Sequence, residues 1–155
     1  MARRSSSSRK LAVHERQPRV LLVEDDADLR MLLAEVLERD GCEVIQAPDG
    51  TEALAVLAEP HPAEAETRPI DLIISDVHLP GCTGLQILQG VREQDRTTPI
   101  ILITGFGNQE VRQRARQFGV TAFFDKPFEA DDLRTAVLNI LQPGARQVPC
   151  ACLGL

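Results

Sequence analysis

Short apolar runs alternate with segments of helical period along most of this 155-residue chain. Apolar runs of four to eight residues bounded by turn residues are typical of strands buried on both faces of a sheet. We place five strands at residues 20–23, 43–46, a run ending at Asp76, 99–104 and 121–125. Regular alternation of five strands with five helices predicts a parallel sheet that is covered by helices on both faces.

Each intervening segment repeats its apolar residues three or four positions apart, which is the period of a helix with one buried face. The predicted stripes are Leu29, Leu32, Leu33, Val36 and Leu37; Ala53, Leu54 and Leu57; Leu85, Leu88 and Val91; Val111, Ala115 and Phe118; and Leu133, Ala136, Val137, Ile140 and Leu141. Pro48, Asp49 and Gly50 are predicted to form a turn before the second helix.

Chemistry-bearing residues stand where the predicted strands end. Glu24 and Asp25 follow the first strand, Asp76 ends the third, Thr104 the fourth, and Lys126 follows the fifth. The carboxyl ends of parallel strands open into a common crevice. Three carboxylates gathered there raise one another's pKa unless a cation lies among them, and hard oxygen ligands suit Mg²⁺. Together with a lysine and a hydroxyl, this set is what phosphoryl transfer onto a carboxylate requires.

The charge distribution narrows the choice of partners. Residues 18–141 carry 22 acidic and 11 basic residues, a net charge of −11, which argues against a nucleic-acid partner. No apolar run is long enough for a membrane span, and residues 1–17 lack the apolar region of a secretory signal. The four cysteines lack metal-site spacing, so a cytoplasmic location is expected.

The chain divides into three parts by composition. Residues 1–17 form a basic, Ser-rich segment that we expect to be disordered, 18–142 one domain, and 143–155 a flexible tail. We expect no DNA-binding output domain on this chain, because too few residues follow the last helix to form one. The Pro-bounded loop at 60–69 is interpreted as a surface insertion.

Four motifs together resemble the receiver domain of two-component response regulators: VLLVEDD, IISDVHLPG-x-x-G, PIILITG and FFDKPF. The resemblance covers about residues 18–141. The LITG-x-G and KPF motifs are most similar to those of receivers in nitrogen-regulation and nitrogen-fixation regulators. The resemblance implies a flavodoxin-like, doubly wound five-stranded parallel sheet of order 2-1-3-4-5 with five helices. It also implies a single-domain regulator that accepts a phosphoryl group from a histidine kinase or histidine phosphotransfer protein.

By this resemblance Asp76 is the phosphoacceptor. Mg²⁺ is held by Glu24, Asp25, Asp76 and the backbone carbonyl of His78. An imidazole is a softer ligand than Mg²⁺ prefers, so the His78 side chain is expected to border the site without binding the metal.

The resemblance also assigns the response to phosphorylation. Thr104 would turn toward the phosphoryl oxygens and Lys126 would pair with them, and the Lys126–Pro127 bond is expected to be cis. Phe123 occupies the position of the family's switch aromatic, whose rotation is coupled to the threonine. Ordinary core packing remains an equal alternative for Phe123 at this point.

Two residues depart from the commonest family pattern. His78 lies two residues after the acceptor and Phe106 two residues after Thr104, and both flank the path of an attacking water. A bulky apolar ring should hinder that water, so we expect slow self-dephosphorylation.

The expected output is protein contact rather than enzyme turnover. The output face is expected to be formed by the fourth helix, fifth strand and fifth helix, and Arg112, Arg114 and Arg116 should point outward from the fourth helix. A phosphorylation-dependent homodimer is a further possible interaction. A phosphatase of the haloacid-dehalogenase kind would share the acid and the metal, but it needs a second Asp where His78 stands. A degenerate receiver that binds partners without phosphorylation is disfavoured, because every required residue is present.

Overall fold

The computed structural model describes residues 16–59, 68–94 and 96–142. Its five strands are β1 (Arg19–Val23), β2 (Glu43–Ala47), β3 (Leu72–Asp76), β4 (Ile100–Thr104) and β5 (Ala122–Asp125). Its five helices are α1 (Ala27–Arg39), α2 (Gly50–Ala58), α3 (Gly84–Glu93), α4 (Gln109–Gln117) and α5 (Ala130–Leu141). The predicted tails beyond 16–142 and most of the 60–69 loop lie outside the described residues.

All strand pairs are parallel, and the strands lie in the order β2-β1-β3-β4-β5. This confirms the predicted flavodoxin-like sheet. The chain leaves β1 toward one edge and returns to β3 on the other side, so the order reverses between these two strands. Ligand sites of open α/β sheets form at such a reversal, outside the carboxyl ends of the strands.

The core consists of two largely aliphatic layers, one on each face of the sheet. Every residue of β3 and β4 is buried, as expected for strands covered on both sides. Successive side chains alternate between the layers: Ile73 and Leu102 face the layer of α2, α3 and α4, whereas Ile74 and Ile101 face that of α1 and α5. A packed sheet of this kind gives the strand ends a rigid base.

Four of the five helices begin at side-chain caps, whereas α5 has none. The side chains of Asp26, Asp49, Thr83 and Asn108 accept hydrogen bonds from the first-turn backbone of α1 to α4. The cap at Asp49 explains why α2 already begins at Gly50, which we had predicted to lie in a turn. Leu32 and Leu54 are 50% and 42% exposed, so the buried stripes of α1 and α2 are narrower than predicted.

Within the described ranges, none of the helices has the length and apolar character that a membrane crossing would need.

Candidate functional site

Asp76 lies at the carboxyl end of β3, with only 4% of its surface exposed. The backbone N–H of His78 donates to its Oδ1 at 2.9 Å. The chain then folds back tightly, since the N–H of Gly84 bonds to the carbonyl of Val77 at 3.0 Å. A Cβ at Gly84 would lie 2.4 Å from the Asp76 carbonyl oxygen, so a side chain there would push the loop away. The tight loop therefore fixes the direction of the carboxylate.

Two further acids enter from the end of β1. Glu24 is buried and Asp25 is exposed. The N–H of Asp26 donates to Glu24 Oε1 at 3.2 Å, and the guanidinium of Arg30 donates to the Glu24 carbonyl at 2.7 Å. Burial raises the pKa of Glu24 to about 7, and the charge of Asp76 adds to this rise, although hydrogen bonds from Lys126 and Asp26 oppose it. A neighbouring cation would stabilise the ionised form of such a carboxylate.

Lys126 brings a positive charge across the site from the end of β5. Its Nζ lies 2.6 Å from Asp76 Oδ2, 3.1 Å from Glu24 Oε2 and 3.2 Å from Glu24 Oε1. Burial alone would lower the pKa of Lys126, but these hydrogen bonds outweigh it and the pKa is raised. The lysine therefore stays charged. The peptide bond between Lys126 and Pro127 is cis, as predicted.

Thr104 and Phe123 lie beside this centre and inside the protein. Thr104 is completely buried at the end of β4, and its Oγ1 accepts a hydrogen bond from the N–H of Phe106 at 3.1 Å. Phe123 is 2% exposed and belongs to the core layer under α4. The ring therefore packs as a core residue in this conformation. Its role as a switch stays a prediction.

The two residues that depart from the family pattern lie beside each other, and their backbone N–H groups contact Asp76 and Thr104. The side chain of His78 is exposed, and the Phe106 ring is 87% exposed. Their ring centroids lie 6.4 Å apart with the planes at 63°, an edge-to-face pair. The assignment of the His78 carbonyl as a metal ligand stays a prediction.

Arg112 is the residue near the site that sequence reasoning misjudged. We expected it to point outward from α4, but its side chain is only 22% exposed and pairs with Asp125. Its guanidinium carbon also lies 4.6 Å from the centroid of the Phe123 ring. A usable signal was present, because Arg112 precedes the buried Ala115 by three residues and so shares its face of α4.

The three acids form a cluster whose composition suits a divalent cation. Glu24, Asp25 and Asp76 each offer an oxygen within 4.8 Å of the others. Carboxylate oxygens around a partly open position are the ligands that Mg²⁺ takes while keeping some of its waters. Glu24, Asp25 and Asp76 are therefore the residues that would hold it.

A flavodoxin-like sheet with this acidic, lysine-containing centre at its reversal point defines a class of α/β domains with a candidate cation site. Comparison with known proteins makes the class specific, because the family model described as the response regulator receiver domain matches residues 20–138. The chain belongs to that family. Receiver domains bind Mg²⁺ at an acidic pocket and interact with histidine kinases or phosphotransfer proteins.

Individual relatives agree with this assignment. Sporulation initiation phosphotransferase F of Bacillus subtilis is 31% identical over 123 residues, which is 79% of this chain and 93% of that protein. The transcriptional regulatory protein PdtaR of Mycobacterium tuberculosis is 39% identical over 120 residues, 77% of this chain but 54% of that protein. The chain thus spans about half the length of PdtaR. The solved structure of the chemotaxis response regulator CheY4 of Vibrio cholerae is 32% identical with a TM-score of 0.67, covering 81% of this chain and 99% of that one.

Proposed function

We propose that this receiver accepts a phosphoryl group on Asp76 from a histidine kinase or histidine phosphotransfer protein, in a reaction that depends on Mg²⁺. The observation that carries the proposal is the contact of 2.6 Å between Lys126 Nζ and Asp76 Oδ2, beside Glu24 and Asp25. A buried carboxylate that meets a lysine and two further acids at the end of a parallel strand matches a phosphoryl-acceptor site.

The proposed transfer is a displacement at phosphorus. A carboxylate oxygen of Asp76 forms the new P–O bond while the P–N bond of the donor phosphohistidine breaks, and the imidazole leaves with the electron pair and takes up a proton. Bound Mg²⁺ would offset the charge of the phosphoryl oxygens. Lys126 already touches the acceptor, so it can follow one phosphoryl oxygen without a large movement. The N–H of His78 holds the other carboxylate oxygen in place.

The proposed response begins at Thr104. Its hydroxyl accepts a hydrogen bond from the N–H of Phe106, and it would exchange this partner for a phosphoryl oxygen by donating its own proton. Movement of the β4–α4 loop then releases Phe123, whose side chain is packed beneath α4. The face formed by α4, β5 and α5 is the proposed contact surface for a downstream protein or for a second copy of the chain.

We propose that the phosphoryl group is lost slowly. His78 and Phe106 form an edge-to-face pair, and their backbone N–H groups contact Asp76 and Thr104, so we expect water to approach the phosphorus past these two rings. An apolar ring offers no hydrogen bond to guide that water. The substitutions Phe106→Glu and His78→Asn should change the rate of loss most, and loss of the wild-type phosphoryl group within seconds would contradict the proposal.

Acceptance is proposed to occur once per chain, without enzymatic turnover of phosphate esters. An aspartate-nucleophile phosphatase needs a second carboxylate two residues after the nucleophile, and His78 occupies that position. Continued release of phosphate from monoesters would favour the phosphatase, whereas labelling that stops at one group per chain favours the receiver. We also propose that the chain acts in the cytoplasm, where a histidine kinase takes the phosphoryl group from ATP.

The proposal is tested by incubating the chain with a small phosphodonor and Mg²⁺. We expect wild type to acquire a label that is stable in acid and labile in base, and Asp76→Asn to acquire none. Chelation of Mg²⁺ should also prevent labelling. An equal label in Asp76→Asn would refute the assignment of Asp76.

A further inference from the structure

Arg112 joins α4 to the outer end of β5 through two contacts. Its guanidinium lies over the face of the Phe123 ring, 4.6 Å from the centroid. The same group donates from Nη2 to a carboxylate oxygen of Asp125. Phe123 and Asp125 are two residues apart on one strand, so their side chains leave the same face of the sheet. One arginine can therefore hold both.

Gly107 connects this pair of contacts to Thr104. A Cβ at Gly107 would lie 2.6 Å from Thr104 Cγ2, 3.3 Å from Phe123 Cε1 and 3.5 Å from Asp125 Oδ1. The backbone at Gly107 thus passes so close to the threonine, the aromatic ring and the acid that no side chain fits between them. A displacement of the loop at Thr104 must change the packing around the Phe123 ring.

We propose that Arg112 is a positioning residue that holds the Phe123 ring in its inward position, with Asp125 anchoring the guanidinium. The proposal rests on the switch role assigned to Phe123 under the proposed function and adds a residue that regulates it. A cation over an aromatic face is attracted by the negative potential of the ring. This attraction exists only while the ring stays beneath α4, so it favours the inward conformer.

The ion pair with Asp125 fixes the position of the Arg112 guanidinium. The side chain of Asp125 is 59% exposed and that of Arg112 is 22% exposed, so the pair lies at the surface and is weak by itself. Its effect is to keep a long side chain over the ring. A cation–π contact and a surface ion pair together correspond to roughly a three- to tenfold change in the ratio of inward to outward ring.

The test uses the whole chain, unphosphorylated and without Mg²⁺, with ¹³C-labelled phenylalanine rings observed by NMR. The chain has five phenylalanines, and Phe123→Leu assigns the signal of interest. We expect Arg112→Gln to raise the outward population of Phe123 roughly three- to tenfold. Asp125→Asn should cause a smaller rise, and Arg112→Lys, which keeps a cation over the ring, should restore most of the inward population.

The matched control is Arg116→Gln, which removes the same charge from an exposed position on the same helix. It should leave the Phe123 signal unchanged. The proposal is overturned if Arg112→Gln and Asp125→Asn both give the wild-type population, or if Arg116→Gln shifts it equally. Because the readout precedes any phosphorylation, it is separate from the labelling of Asp76. Failure of one leaves the other standing.

Discussion

Replacing Lys126 with methionine removes the positive charge from the centre and keeps a side chain of similar length. Lys126 Nζ makes three contacts of 2.6 to 3.2 Å with the carboxylates of Asp76 and Glu24, which are 4% and 1% exposed. Removing one partner of a buried ion pair costs about 3–5 kcal/mol. Here the lysine is 26% exposed and Glu24 can take up a proton, so we expect a loss of about 2 kcal/mol near neutral pH.

The loss should depend on pH because Glu24 titrates near 7 in the folded protein, above its unfolded value of 4.5. An acid with a raised pKa favours folding while it is protonated and opposes it as the pH rises through the folded value. Without Lys126 the pKa of Glu24 should rise further, since the lysine lowers it. The cost of Lys126→Met should therefore be larger at about pH 8 than at about pH 6.

Urea denaturation followed by far-ultraviolet circular dichroism measures this free energy, because the chain has neither Trp nor Tyr for fluorescence. Saturating Mg²⁺ should reduce the difference in free energy of unfolding between Lys126→Met and wild type, since a divalent cation can neutralise the carboxylates in place of the lysine. Arg114→Met, which removes an exposed charge from α4, is the control and should have little effect. A loss below about 0.5 kcal/mol, or an equal loss at both pH values with no effect of Mg²⁺, would refute this reasoning.

Three further substitutions test other parts of the account. Gly84→Ala should cost about 1–3 kcal/mol in urea denaturation and slow labelling by a small phosphodonor, because its Cβ would meet backbone; Gly90→Ala, where a Cβ has open space, should not destabilise. Arg92→Met should cost about 2–4 kcal/mol by the same measurement, because its guanidinium donates to four backbone carbonyls at 2.9 to 3.1 Å; no loss would contradict that. Thr104→Ala should still be labelled, but its Phe123 ring signal should no longer respond to phosphorylation in ¹³C NMR.

The sheet and the strand ends were predictable because their signals are local. Each buried strand is a short apolar run, and the polar residue that follows it has to lie at the carboxyl edge of a parallel sheet. The sequence pattern alone therefore predicted that Asp76, Thr104 and Lys126 lie close together. The resemblance then supplied the order of the strands, which the periodicity alone leaves open.

The predictions that were wrong concern which helix side chains are exposed, and these depend on how each helix is rotated against the sheet. Leu32 and Leu54 lie at the margins of apolar stripes, and the packing of α1 and α2 leaves them half exposed. Arg112 was expected to be solvated like its neighbours Arg114 and Arg116. Its spacing from Ala115 places it on the buried face of α4, but its contacts with Phe123 and Asp125 also depend on how α4 is rotated over β5, which the sequence pattern does not contain.

The chemical identity of the phosphorylated residue tests the central claim most directly. An acyl phosphate is reduced by borohydride to an alcohol, so phosphorylated aspartate becomes homoserine, which peptide mass spectrometry can place on the chain. After treatment with a small phosphodonor and Mg²⁺, we predict homoserine at position 76 and nowhere else. Homoserine at Asp25, or an unmodified Asp76 in a chain that carries the label, would contradict the account.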